Sequence, residues 1–148
     1  MRLSDELDHH RILFIDTAPI IYYIEGHQLF GLLAKEVVDT FRSGKAVAYT
    51  SVITLVEVLP KPVQAGNHML AKKFADFLRH GKNIHMTEIS ADMAEKAGNL
   101  RGRYAFLKGM DALQIAVAVD SGAEVFITND LNLKQIQDIK VIVLKDYL

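Results

Sequence analysis

The sequence predicts an α/β fold of three layers, α/β/α, with a central and mostly parallel sheet, and three observations carry the prediction. Short, uniformly apolar runs such as ILFI (residues 12–15) and VFIT (residues 125–128) recur along the chain. Strands buried on both faces read this way, whereas strands with one wet face alternate. Segments with apolar residues at helical spacing separate these runs, and regular strand–helix alternation calls for crossover connections and a parallel sheet. Finally, 148 residues suit one compact domain, and 50% of them are apolar, which supplies a sizeable core. No repeat, low-complexity stretch or linker interrupts the chain, so a single domain over 1–148 is expected, with its core at about 11–145.

The elements follow in order. Residues 12–15 form a buried strand ending at Asp16. Pro19 suits the first turn of a helix carrying Ile20, Ile21 and Ile24. A second helix is expected from Leu29 to Phe41, closed by Gly44. Ala46–Thr50 reads as a strand, and Ser51 suits the N-cap of the helix VITLVEVL that follows. Pro60 and Pro62 interrupt that helix, and Gly66 marks a loop. His68–Arg79 is an amphipathic helix, Ile84–Ile89 a strand, and Ala91–Phe106 and Met110–Ser121 are helices. Glu124–Thr128 and Val141–Leu144 complete the sheet.

Composition removes several function classes. The absence of cysteine excludes disulfides, thiolate metal sites and cysteine nucleophiles. Basic and acidic side chains number 17 and 18, a net charge of -1, so any attraction for nucleic acid must come from a local patch or from bound cations. The N-terminal MRLSDELDHH lacks a signal peptide's apolar segment, and no apolar run approaches the ~20 residues that span a bilayer. A cytoplasmic protein without a membrane partner is the expectation. The histidines show no i, i+4 ligand spacing among themselves and read as incidental surface residues.

Four acids stand where a soluble protein has little structural use for them. Asp16 is the only charge between Arg11 and Glu25, and Glu57 the only one between Lys45 and Lys61. Asp111 opens the run ALQIAVAV, and Asp130 follows VFIT almost at once. Ligand crevices of open α/β sheets form outside the carboxyl ends of the strands, and all four acids can reach such a crevice. Each has a plainer reading: Asp111 as a helix-terminal charge or cap, Asp130 as a turn residue, Glu57 as a solvated helix position. Their shared placement favours function. Clustered carboxylates repel one another and call for a compensating hard cation. Mg²⁺ or Mn²⁺ suits an all-oxygen site and promotes hydrolysis of phosphate esters.

Four segments, ILFIDTAPIIYYIEG, TSVITLVEVL, KGMDALQIAVAVDSGAEVFITND and the closing strand VIVL, together resemble the PIN-domain nucleases, above all the VapC-type toxin ribonucleases of toxin–antitoxin pairs. They appear in the family's order over nearly the whole chain. The resemblance implies a PIN-like fold and a metal-dependent endoribonuclease. Asp16 and Asp111 would be the principal metal ligands, and Glu57 and Asp130 would complete the acidic pocket and position the attacking water. Thr17, Thr54, Thr128 and Asn129 match supporting positions, and Asn129 or Asn132 could share the role of the fourth acid. Ala18 stands where the family often has Asn, a departure that touches local hydrogen bonding. An RNA substrate, a cognate antitoxin protein and a homodimer are further implications, with an RNA-processing nuclease or a catalytically silent binding module as alternatives.

The stretch LRGRYAFLKGM, just ahead of Asp111, offers Arg101, Arg103 and Lys108 for the RNA backbone and Tyr104 or Phe106 for base stacking, against the plainer reading of a solvated helix end with core aromatics. The apolar run Ile20–Tyr23 suits either core packing or self-association. An aspartyl phosphotransferase centred on Asp16 would need a second Asp two residues on, where Ala18 stands, and a receiver-type phosphoacceptor would have no use for Glu57.

Overall fold

Five strands form one sheet: β1 (Ile12–Ile15), β2 (Val47–Ser51), β3 (Ile84–Thr87), β4 (Val125–Thr128) and β5 (Lys140–Val143). In the computed structural model, which describes residues 1–148, they lie in the order β3-β2-β1-β4-β5. Every adjacent pair is parallel, so the sheet expected to be mostly parallel is wholly so. The chain steps outward from β1 to β3, then returns to the other side of β1. That reversal opens a crevice between the carboxyl ends of β1 and β4.

Helices α2 (Thr17–Glu25) and α3 (Gly31–Arg42) join β1 to β2, and α4 (Val52–Val58), α5 (Pro60–Gln64) and α6 (His68–His80) join β2 to β3. The return to β4 runs through α7 (Ala91–Arg103) and α8 (Gly109–Asp120). Short 3-10 turns cover Leu131–Gln135 and Leu144–Tyr147. The period-two alternation of the strands divides the core between the two faces. Leu13, Ile15, Val125 and Ile127 pack with Ile20, Phe41, Phe74 and Leu78 from α2, α3 and α6. Phe14 and Phe126 point the other way, stacked at 5.2 Å between ring centres, against Ala97 and Leu100 of α7 and Ile115 of α8.

Differences from the sequence reading have local causes. The second helix begins at Gly31 rather than Leu29, because His27 Nδ1 accepts the backbone N–H groups of Leu29 and Phe30, both at 3.1 Å, and holds a turn there. Gly44, with φ of 89°, closes that helix as expected, since it alone tolerates this conformation without strain. Strand β3 stops at Thr87, the last residue paired with β2, short of Ile89. Helix α7 ends at Arg103 rather than Phe106, because Tyr104 leaves the helix and anchors its hydroxyl on Asp138 at 2.8 Å. Pro60 starts the separate turn of α5.

A short N-terminal helix, α1 (Leu3–Leu7), escaped the sequence reading and belongs to the core, with Leu3 and Leu7 fully buried. Its polar residues are equally committed. Glu6 pairs with Lys140, and His10 lies between Glu6 (3.6 Å) and Glu124 (3.4 Å). Glu124 in turn accepts the N–H groups of Arg11 and Ile12. His10 and His27 are therefore structural rather than incidental. Ile20 is buried, and Ile21, Tyr22 and Tyr23 pack against the same core, so core packing accounts for that run. No helix is long and apolar enough to cross a membrane.

Candidate active site

Asp16 directly follows β1 and Thr128 ends β4, and the register makes them neighbours. Ile15 pairs with Ile127, and the Asp16 N–H donates to the Ile127 carbonyl at 2.9 Å. Asp16 and Thr128 share the parity of Phe14 and Phe126, which aims both side chains toward α8. The Thr128 hydroxyl donates to one Asp16 carboxylate oxygen at 2.8 Å, and the Thr17 N–H donates to the other at 2.8 Å. The second bond also caps α2.

The other acids arrive from three separate elements. Glu57 lies in the second turn of α4, solvent-facing as its plainer reading held, yet its carboxylate accepts the Thr17 hydroxyl at 2.6 Å. Asp130 accepts the Asn132 N–H at 3.0 Å as a turn cap, also as its plainer reading held, while its own N–H donates to the Thr128 hydroxyl at 3.2 Å. Asp111 sits in the first turn of α8 and does not cap it, for the cap position belongs to Lys108. Like charges connect the four. Burial pushes the Asp16 carboxyl up to about 6; hydrogen bonds from Thr128 and Thr17 oppose this, and the charges of Asp111 and Glu57 add to it. Asp111 is likewise raised, first by burial and then by Asp130 and Glu57, with Lys108 pulling the other way.

Beneath the acids runs a buried polar layer. Thr17 and Thr54 share a hydrogen bond at 3.1 Å, and Thr54 and Thr50 share another at 2.9 Å. Gln114, 1% exposed, sits at the centre. Its amide N–H donates to Thr54 at 2.9 Å and reaches Asp16 and Thr17 at 3.5 Å, while its carbonyl accepts the hydroxyl of Ser51, the cap of α4. Gln114 thus links α8, α4 and β1 under the acids, and the sequence reading missed it. Its signal was available: it is the single polar residue within ALQIAVAV. Asn129, expected beside the acids, lines the same cleft as Asp16 and Asp130, with its side chain bonded to other partners. Its amide donates to the Tyr22 hydroxyl at 3.1 Å and its carbonyl accepts the Lys145 N–H at 2.9 Å.

A cleft of about 500 Å³ opens over this layer, with Asp16, Thr128 and Asp130 in its lining together with Tyr22, Asn132 and Lys145. The basic stretch ahead of Asp111 contributes unevenly. Arg103 is bound to Asp138 at 2.8 Å, and Arg101 donates through Nε to the Leu107 carbonyl at 3.3 Å, clasping the loop before α8. Lys108 alone acts on an acid of the cluster.

The donor set suits a hard divalent cation: oxygen ligands only, from carboxylates that include Asp16 and Asp111, both raised by burial and by neighbouring acids. No three acidic or histidine side chains close into a ready-made cage. An open arrangement of one or two carboxylates and retained waters is how Mg²⁺ is commonly held.

Residues 13–139 match the PIN domain family, and the chain belongs to it. Comparison with curated proteins finds no match. Among solved structures, VapBC2 from Rickettsia felis bound to a DNA fragment from its promoter superposes with a TM-score of 0.72 at 18% identity, over 89% of this chain and 98% of that one. DNA-bound VapBC from Salmonella typhimurium gives 0.69 at 18% identity, over 90% and 98%. VapC20 of Mycobacterium tuberculosis, described as a Sarcin-Ricin loop cleaving toxin, gives 0.63 at 21% identity, over 77% and 86%. These likenesses show that the fold is shared.

Proposed function

We propose that this PIN-domain chain is a metal-dependent endoribonuclease, hydrolysing RNA phosphodiester bonds with Mg²⁺ or Mn²⁺, and that it is the toxin of a toxin–antitoxin pair. The observation that carries the reading is the electrostatic state of Asp16. This carboxyl lies at the sheet's crevice, oriented by two hydrogen bonds, and is driven to about 6 by burial and by neighbouring acids. Such an arrangement opposes folding, and a bound cation would offset that cost, which supports the metal-dependent reading.

Asp16 and Asp111 would hold the cation, with Glu57 and Asp130 completing the site directly or through water. The chemistry a divalent ion held there would supply is neutralisation of charge on a phosphoryl oxygen of the substrate. Thr128 and Thr17 keep the Asp16 oxygens facing the cleft, and the Thr17 hydroxyl fixes Glu57, so both acids are aimed before substrate arrives. Glu57 and Asp130 orient the attacking water. The toxin assignment is supported by the superposed VapBC complexes. A small DNA-binding protein encoded next to this chain, which binds and silences it, is the expected partner; its absence would favour an RNA-processing nuclease. Cleavage of single-stranded RNA should disappear in excess EDTA and return with Mg²⁺ or Mn²⁺. Cleavage that persists in metal-stripped protein would overturn the proposal.

A further inference from the structure

We propose that Lys145 is a substrate-binding residue that holds an RNA phosphate at the cleft, across the acidic centre from Lys108. The assignment rests on the ribonuclease reading and extends it to residues beyond the acids. Lys145 is an exposed cation in the lining that also contains Asp16 and Asp130. Its charge is uncommitted, for the adjacent carboxylate, Asp146, is taken by Lys134. Its backbone is not free to wander. The Lys145 N–H donates to the buried carbonyl of Asn129, whose amide is fixed on the Tyr22 hydroxyl. Three elements, α2, the end of β4 and the turn after β5, therefore set where this lysine stands relative to Asp130.

A nucleic-acid backbone entering a cleft lined by Asp16 and Asp130, with Asp111 and Glu57 adding negative charge nearby, is repelled unless cations flank its path. Arg101 and Arg103, the obvious candidates in the sequence, are occupied by the Leu107 carbonyl and by Asp138. Lys108 and Lys145 remain, and they stand on opposite layers of the fold. Leu107, beside Lys108, packs in the core under α7 and α8, whereas Leu144, beside Lys145, packs in the core on the other face. A strand crossing the acids from one layer to the other meets one lysine on each side, with the scissile phosphate between them.

The test is RNA binding by Asp111→Asn protein, silenced so that substrate survives, titrated with a short single-stranded RNA at several salt concentrations. Adding Lys145→Gln should weaken binding by roughly fivefold at most, the scale of one exposed charge contact. It should also reduce the slope of log affinity against log salt by about 0.7, one phosphate on a single strand. Lys145→Arg should retain the slope. Lys45→Gln, before β2 at the opposite end of the sheet, should leave it unchanged. In otherwise wild-type enzyme, Lys145→Gln should raise KM more than it lowers kcat. RNA binding whose slope ignores Lys145→Gln would overturn this assignment alone, whereas no RNA binding by the parent protein would overturn the ribonuclease reading with it. An increase in Mn²⁺ affinity on Lys145→Gln would instead make the lysine an internal counter-ion to Asp130, and would also overturn the assignment.

Discussion

Asp16→Asn removes the most perturbed charge of the molecule while keeping its shape. The Asn carbonyl retains the Thr17 N–H, and its amide can donate to the Thr128 hydroxyl in place of the present bond. In wild type the carboxyl titrates at about 6 when folded, against 3.8 for the unperturbed group. A folded state that binds its proton more tightly than the unfolded state loses stability as pH rises. The loss accumulates between pH 3.8 and about 6 and levels off above. At full effect it reaches about 3 kcal/mol at neutral pH, and less where the cleft side of the carboxylate meets water. The variant escapes this cost. In EDTA the two proteins should be equally stable near pH 4, and Asp16→Asn should be the more stable at pH 8. The gap of up to about 3 kcal/mol corresponds to roughly 6–12 °C in Tm for a chain of this size. Glu6, Glu124 and Asp138, whose carboxyls are held low by Lys140, by the backbone of Arg11 and Ile12, and by Arg103, weaken the fold in acid but act on both proteins alike. Urea unfolding across this pH range measures the gap directly. A gap that does not vary with pH, or a variant less stable at pH 8, would refute the reasoning.

Asp111→Asn should fold normally in EDTA, because Asp111 caps nothing, but should lose RNA cleavage by more than the ~10–100-fold typical of residues that only support a metal ligand; thermal melts and cleavage assays with Mn²⁺ check both halves. Gln114→Leu leaves the buried hydroxyls of Ser51 and Thr54 without their amide partner, so chemical denaturation should show a loss of roughly 1–3 kcal/mol. Arg103→Ala should leave RNA affinity unchanged, since its guanidinium is committed to Asp138, whereas Lys108→Ala should weaken it; filter binding at low salt separates the two.

The acids were legible because each is an isolated charge in apolar surroundings, a pattern visible without any knowledge of contacts. The central strands β1 and β4 were legible as short, almost wholly apolar runs. What stayed hidden depends on partners distant in sequence. Arg103 and Asp138 are 35 positions apart, so charge alone suggested an RNA contact where the structure shows an ion pair. Gln114 looked like an ordinary helix residue, and its importance appears only when Ser51, Thr54 and Asp16 converge on it. Helix α1 was masked by its surroundings, since its two core leucines stand among five acidic and histidine side chains in the first ten positions. Asn129 lies in the cleft with Asp16 and Asp130, but its partners, Tyr22 and the Lys145 N–H, are distant in sequence and could not be read from its neighbours.

On the proposed reading these acids hold a divalent cation at the crevice between β1 and β4. Crystals of the wild-type protein soaked in Mn²⁺ and measured for anomalous scattering test it directly. A single strong peak is expected within ligand distance of Asp16 and Asp111, roughly 2.0–2.2 Å from the coordinating oxygens, and should be lost in Asp111→Asn. Manganese bound elsewhere on the protein with none at Asp16, in crystals at neutral pH, would contradict it.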